Sequence, residues 1–493
     1  MAEQEKKPKK RGIVKRIFGW IWLGLLTSLI LGALVYDAPW KVIVLLLIIL
    51  AACTILPKPY RKWFWLSVAA VVVVLIIWVF LPDENGGWRP YTFEKELAAL
   101  QAKYAVPDSE NAALLYSKLF EGLDIDSNQP EFYTKSEVSS ISGPWRGTDH
   151  PETAEWLKGH QRTIDTLMEI SRIEKCRFSI TANPADTERW EHLQKMRRCA
   201  FLLLSVANND IAEGRTDAGL EKYLCLTRMA NHLYQQPAII DFLVGVAIEA
   251  RALTHLNRFI MEGEPTEQQL QSIATSLPDL KNNWGLDFGK ALEYEKLLDK
   301  NSFCCFFYQV NPRGDVRFSR KPFVPADAYF LKDAPVLSYW QRKRGKGAAV
   351  LGWFFMPSTP QEIAKAIDKS YGKYYAMAAP NFDWKRKPDG ARLRFKLNYL
   401  LTIKLLTGMS ESTYYRFHEI YLKSLAFRRG SRLLVAIKQY KNENGGWPPD
   451  LNAIKSRVLA EAFIDPVSGS QFEYERHDSR FSLYGAAGNI WPK

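Results

Sequence analysis

Hydrophobic and polar positions divide the chain at residue 82. Before it, three uncharged apolar runs follow one another: Ile17–Tyr36, Val42–Pro57 and Trp63–Pro82, bounded by Arg16 and Asp37, Lys41 and Lys58, and Lys62 and Asp83. About 20 apolar residues cross a bilayer as helix, so the runs predict three transmembrane helices over residues 17–82. The middle run is short, but Trp40 extends it, and Lys41 and Lys58 can reach the headgroups. A second apolar run follows the first at once, with no small-residue cleavage site after the first, which makes a signal peptide a poor reading.

Beyond residue 82 the period changes to that of amphipathic helix. Asp83–Pro90 (DENGGWRP) and residue 91 read as a linker. Helices are predicted over Thr92–Tyr104, Pro107–Gly122 and Glu152–Ile173, with a loop-like stretch at 123–150. Asp186–Glu213, a break at Gly214, Thr216–Tyr234, Pro237 and Ala238–Met261 make a run of antiparallel helices joined by tight turns. Thr266–Ser276 and Leu286–Lys300 follow, completing a helical domain over 92–300. Residues 301–410 are an irregular to helical connecting region. Within it, a basic tract (Arg342, Lys343, Arg344, Lys346) precedes the apolar Gly347–Met356, which reads as a core segment behind a basic loop. The last part, 411–493, starts with a long helix over Glu411–Lys441. After it come NGGWPP, a short helix at Leu451–Leu459, and two alternating runs, Gln471–Glu475 and Arg480–Tyr484, that predict an antiparallel hairpin. The fold class expected is mainly α: three N-terminal transmembrane helices, a helical extracytoplasmic domain and a small C-terminal α+β module.

Charge adds an orientation. Residues 1–82 hold 11 Lys/Arg and 3 Asp/Glu, leaving 55 and 50 in the remainder of a chain whose net charge is +13. The excess clusters before the first run, in a basic tail over residues 1–16, and between the second and third runs. By the positive-inside rule this predicts a cytoplasmic N-terminus, a multi-pass inner-membrane placement and an extracytoplasmic domain from Asp83 onward. The rest of the chain carries only +5, so no nucleic acid is expected as a partner. The partners expected are the lipid bilayer and other envelope proteins.

The six cysteines are too few for a disulfide framework in 493 residues. Cys199 and Cys225 sit in apolar helical patterns that suit core packing. The seven histidines make no ligand pair at helical spacing. HExxH, CxxC, GxSxG, Walker A and a framed GxGxxG do not occur, so neither metal nor cofactor is expected. His150 beside Asp149 and His477 beside Asp478 are the only proton-transfer candidates, and sequence neighbours seldom orient each other for that. The polar pair Glu110–Asn111, in ENAALLY up to Tyr116, is the candidate interaction site. It is read either as helix N-terminal stabilisation or as a polar contact point in a groove. Sixteen Trp and 22 Tyr are enough to line an aromatic groove, although scattered Trp more often fill a helical core.

From Arg432 to Asn489 the order long helix, GGWPPDL, short helix, DPVSG, FEYE, RFSLYGAAGN resembles the globular headpiece of type II secretion pseudopilins. The resemblance implies a long helix packed on a small antiparallel sheet. Two departures stand out: the long helix is not N-terminal and lacks a prepilin signal, and GAAGN stands where calcium-binding members place Asp. VPDSENAALLY (Val106–Tyr116) and QQPAIIDFLVGVAIEARAL (Gln235–Leu253) resemble a group of uncharacterised bacterial membrane-anchored proteins, a likeness that implies no activity. The function expected is that of a membrane-anchored, extracytoplasmic binding or scaffold protein of the cell envelope, tied to secretion or assembly only by analogy. The alternative is an envelope hydrolase whose site is assembled from distant residues.

Overall fold

The structure is a computed structural model that describes residues 87–135, 137–181, 190–277, 283–318, 359–385, 411–478 and 480–492, with scattered positions at 48, 60, 62, 63, 65–67 and 70. In chain order the elements are β1 (Arg89–Pro90), α1 (Glu94–Lys103), α2 (Ala112–Glu121), α3 (Glu131–Thr134), α4 (Pro151–Gly159), α5 (Gln161–Ser171), α6 (Glu191–Ala212) and α7 (Thr216–Tyr234). They continue as α8 (Ile239–Glu262), α9 (Glu267–Ser276), α10 (Trp284–Phe307), β2 (Tyr308–Val310), β3 (Val316–Phe318), α11 (Pro360–Tyr375) and α12 (Glu411–Asn444). The chain closes on β4 (Glu473–His477), β5 (Arg480–Gly485) and β6 (Gly488–Trp491).

No helix among the described residues is long and apolar enough to cross a membrane. The expected transmembrane architecture is therefore corrected to a mostly helical protein with small antiparallel sheets, and the multi-pass inner-membrane placement is corrected with it. The physical reason lies in the long helices themselves. α8 interrupts its apolar stretch with Asp241, Glu249, Arg251 and Arg258, and α12 carries Arg428, Arg429, Arg432 and Lys438 among its buried turns. Their apolar faces are spent on one another. Apart from the scattered positions, the three apolar runs of residues 17–82 lie outside the described residues, as does the basic–apolar tract Arg342–Met356.

α6, α7 and α8 pack as consecutive antiparallel helices. The α6–α7 turn needs Gly214, which adopts φ +76°, a conformation that a Cβ disfavours. Buried Asp210 holds the turn closed by accepting Arg215 Nε and Lys222 Nζ, each at 2.7 Å. α9 begins with a reciprocal capping box between Thr266 and Gln269.

Two larger hydrophobic clusters result. The first gathers α2, α5–α9, the second half of α12 (Ala426–Ile437) and the β4–β6 sheet. The second gathers α10, α11 and the first half of α12, through Tyr414, Phe417, Tyr421 and Leu425. α12 thus passes through both.

The hairpin expected over Gln471–Tyr484 is present, with Tyr474 opposite Leu483 and Arg476 opposite Phe481. Its alternation turns Phe481 and Leu483 inward. A third strand, β6, joins its edge. That strand follows a Gly/Ala-rich stretch that buried Asp465 organises. Asp465 Oδ2 accepts Ala486 N at 2.7 Å, and Oδ1 accepts Val467 N at 2.9 Å. A second small sheet, β1–β2–β3, stands partly in the region read as irregular. Its β2–β3 turn is closed by Asn311 Oδ1, which accepts from Arg313 N at 3.0 Å and Asp315 N at 2.9 Å.

The sheet meets α12 at Gly430, where a Cβ would come within 2.7 Å of two carbons of Ile490. Gly430→Ala should lower the thermal midpoint, since overpacking costs about 1–3 kcal/mol, which exceeds the helix-propensity gain of roughly 1 kcal/mol. Combined with Ile490→Ala, the loss should be smaller than the sum of the two single losses. Additive losses in thermal denaturation would show that the contact is not tight.

Candidate functional site

Asn111, Glu110 and Tyr116 turn toward the chain itself. Asn111 is the N-cap of α2, and its Oδ1 accepts from Ala113 N at 3.1 Å. The same oxygen accepts from Arg177 N at 2.8 Å, while Nδ2 donates to Arg177 O at 2.9 Å. With Ala112 N donating to Lys175 O at 2.9 Å, α2 is stitched to the segment after α5. Exposed Glu110 pairs with Lys175 at 2.6 Å, where solvent screening leaves it little weight. Tyr116 is fully buried and donates to His232 Nδ1 at 3.1 Å; His232 Nε2 donates to Ile173 O at 2.7 Å, which fixes the tautomer. Burial lowers His232 to about 4, so the ring is neutral at pH 7. Asn111 thus caps α2, Glu110 pairs with Lys175 on the surface and Tyr116 bonds His232 in the core, each with a different partner within the chain.

The adjacent His/Asp candidates separate. His150 stacks on Phe132, Asp149 takes the Thr148 hydroxyl, and His477 stands on exposed β4 opposite Arg480. A His–Asp pair does form among the described residues, His192 with Asp241, at 2.6 Å between the N-terminal turns of α6 and α8. The cavity beside it is about 30 Å³, room for only a water or two. It has no space for a substrate.

A larger cavity, about 240 Å³, lies where α7, α8, α10 and α12 meet. α10 supplies Asp287 and Lys290, three residues apart and so on one face of the helix. Lys290 Nζ donates to Tyr234 O at 2.9 Å and Gln235 O at 3.2 Å, carbonyls at the C-terminus of α7 that have no intrahelical partner. Burial lowers Lys290 to about 8, although Asp287 nearby opposes the shift. Burial raises Asp287, with Lys290 opposing in turn. Asp287 Oδ2 accepts from Tyr421 Oη at 3.4 Å, and Tyr421 Oη accepts from Asn283 N at 2.9 Å.

Arg428, which also lines the cavity, is closed in an ion pair with buried Glu249. Arg428 Nε and Nη2 donate to Glu249 Oε1 and Oε2 at 3.0 and 2.9 Å. Glu249 Oε2 also accepts from Tyr234 Oη at 2.8 Å and Ser424 Oγ at 3.2 Å. Glu249 is 1% exposed. Burial alone would lower Arg428, but the carboxylate of Glu249 holds it above its ordinary value. None of these residues carries a sequence signature. Asp287 and Lys290 look like ordinary polar positions of an amphipathic helix, and Glu249 meets Arg428 across 179 residues. Among the described residues no group of three His, Cys, Asp or Glu could hold a metal ion. The five described cysteines are free and buried, and burial pushes the thiols of Cys199 and Cys305 up to about 12 and that of Cys225 to about 11.

Removing one partner of a buried ion pair strands the other. Glu249→Ala should therefore cost about 3–5 kcal/mol in urea denaturation; a loss below 1 kcal/mol would mean that Arg428 finds another partner or reaches water. Acid should act through His232 and His255, both lowered to about 4 by burial. The unfolded imidazole titrates near 6.5, so below that pH the unfolded state binds more protons. The contribution of these histidines is full above about pH 6.5 and falls toward pH 4, by up to about 3 kcal/mol for each; Asp299, whose carboxyl burial raises to about 7, acts in the opposite direction over the same range. The urea midpoint followed from pH 7 to 4 should therefore drop less, relative to its value at pH 7, in His232→Gln than in the parent chain, and an identical pH dependence in the two would show that His232 does not contribute.

Comparison with protein families, curated proteins and solved structures finds no match to this chain.

Proposed function

We propose that this protein is a non-catalytic binding protein whose ligand is a small polar solute held between α7, α8, α10 and α12. The observation that carries the reading is the 240 Å³ cavity lined by Asp287, Lys290, Tyr421 and Arg428. It has room for on the order of ten waters, and it falls just below the roughly 300–1,000 Å³ typical of pockets for drug-sized ligands. That volume suits a solute of several heavy atoms. Phe242 and Leu425 add apolar wall beside the polar groups, the mixture that binding pockets use to fix orientation. The C-terminal module resembling a pseudopilin headpiece serves in this reading as a packing unit, since its inward residues Phe481, Leu483 and Ile490 belong to the first cluster.

One observation favours the hydrolase alternative: a raised carboxyl, Asp287, and a lowered amine, Lys290, share the cavity. The one hydroxyl there on a serine, Ser424, is spent on Glu249, a carboxylate already held by Arg428. A serine nucleophile needs a base free to take its proton, so binding is the better-supported reading.

The test is a thermal-shift screen of the full chain against small amino acids, carboxylic acids, amines, amides and polyols. A ligand at 100 times its Kd stabilises by about 2.7 kcal/mol, a readable shift. Asn231 is exposed and lines the cavity, so Asn231→Trp should occlude it and abolish the shift. A screen without any stabilising solute, or a shift unchanged in Asn231→Trp, would overturn the proposal.

A further inference from the structure

Asp287, Lys290 and Arg428 are the charged residues that line the cavity, and they are arranged differently. Arg428 and Glu249 are closed on one another. Asp287 and Lys290 are not: they stand one helical turn apart and line the same space, close enough to act on one another electrostatically, yet among the described residues no ion pair within 4 Å joins them. Each also retains bonding capacity. An ammonium has three N–H donors, and Lys290 spends two on Tyr234 O and Gln235 O. A carboxylate offers about four acceptor positions, and Asp287 receives one long bond from Tyr421.

We propose that the ligand of this cavity is a small zwitterion of the α-amino-acid class, its carboxylate received by Lys290 and its ammonium by Asp287. The inference rests on the binding reading of the same cavity and specifies its ligand. Charge balance decides between ligand classes. A lone anion compensates Lys290 and leaves Asp287 facing a like charge in a confined, partly desolvated space; a lone cation does the converse. A neutral solute leaves the two with only each other's attraction across a gap wider than an ion pair, and gives neither a directly bonded counter-charge. Only a ligand carrying both signs compensates both, without disturbing the Arg428–Glu249 pair. Size agrees: the 240 Å³ takes an amino acid with a short side chain, for which Phe242 and Leu425 provide apolar wall.

The test is isothermal titration of the full chain with four matched probes: L-alanine, propionate, ethylamine and propionamide. L-alanine should bind at least tenfold more tightly than any of the other three. Asp287→Asn should weaken L-alanine at least tenfold and leave propionate bound at least as tightly as L-alanine, because the carboxylate receptor remains. Lys290→Met should weaken L-alanine and propionate together; should it fail to fold for want of its bonds to the end of α7, Lys290→Arg, which keeps the cation, should retain the preference for L-alanine. Binding of propionate, ethylamine or propionamide as tight as that of L-alanine would overturn the zwitterion assignment while leaving a binding cavity. Binding of none of the four, in a chain that other solutes in the thermal-shift screen stabilise, would also overturn it. Failure of every solute would remove the binding reading itself.

Discussion

Glu249 is a carboxylate taken out of water and given four donors in exchange, from Tyr234 on α7 and from Ser424 and Arg428 on α12. Desolvating such a pair costs several kcal/mol per ion, recovered only when the geometry is good and every lone pair is used. The interaction therefore tolerates little sliding between helices. It sets the rotation and height of α12 against α7 and α8, and thereby turns Tyr421, Ser424, Leu425 and Arg428, which share one face of α12, toward the cavity. The apolar packing on either side is non-directional and would accept small displacements. The ion pair supplies the register that the packing lacks.

The same device recurs on a smaller scale. Asn111 and Asp465 each lie buried beside a loop and accept backbone amides from a segment that has no ladder of its own. A segment without regular structure must satisfy its backbone groups somewhere. In both places a side chain with fixed acceptors does so, and a neighbouring element is positioned as a result: the stretch around Arg177 in one case and β6 in the other.

Periodicity made much of the helical framework legible. Thr216–Tyr234 has the boundaries expected of it, Gly214 makes the turn expected of it, and the C-terminal alternation becomes a hairpin. The short strands of β1–β3 escaped because two or three residues do not establish an alternation, and β6 escaped because its order depends on Asp465, over 20 residues away. The cavity escaped for a different reason: its groups come from four helices, and each looks like an ordinary helical position in isolation. ENAALLY drew attention because Asn beside Glu at a helix start resembles a site, but the same residue types make caps, and Asn111 is one. The expectation of a membrane protein was drawn from residues 17–82, and the helices of the described residues, with their interleaved charges, do not carry it.

α12 belongs to both larger clusters, with Tyr414 to Leu425 in one and Ala426 to Ile437 in the other, on a single uninterrupted backbone. Each half of the helix is held by a different set of neighbours, and helix formation is cooperative along the chain. Loosening either cluster therefore frays a ladder of hydrogen bonds on which the other also relies. Two bodies of apolar packing that could otherwise melt in turn thus share one backbone, and the middle of α12 is where they join.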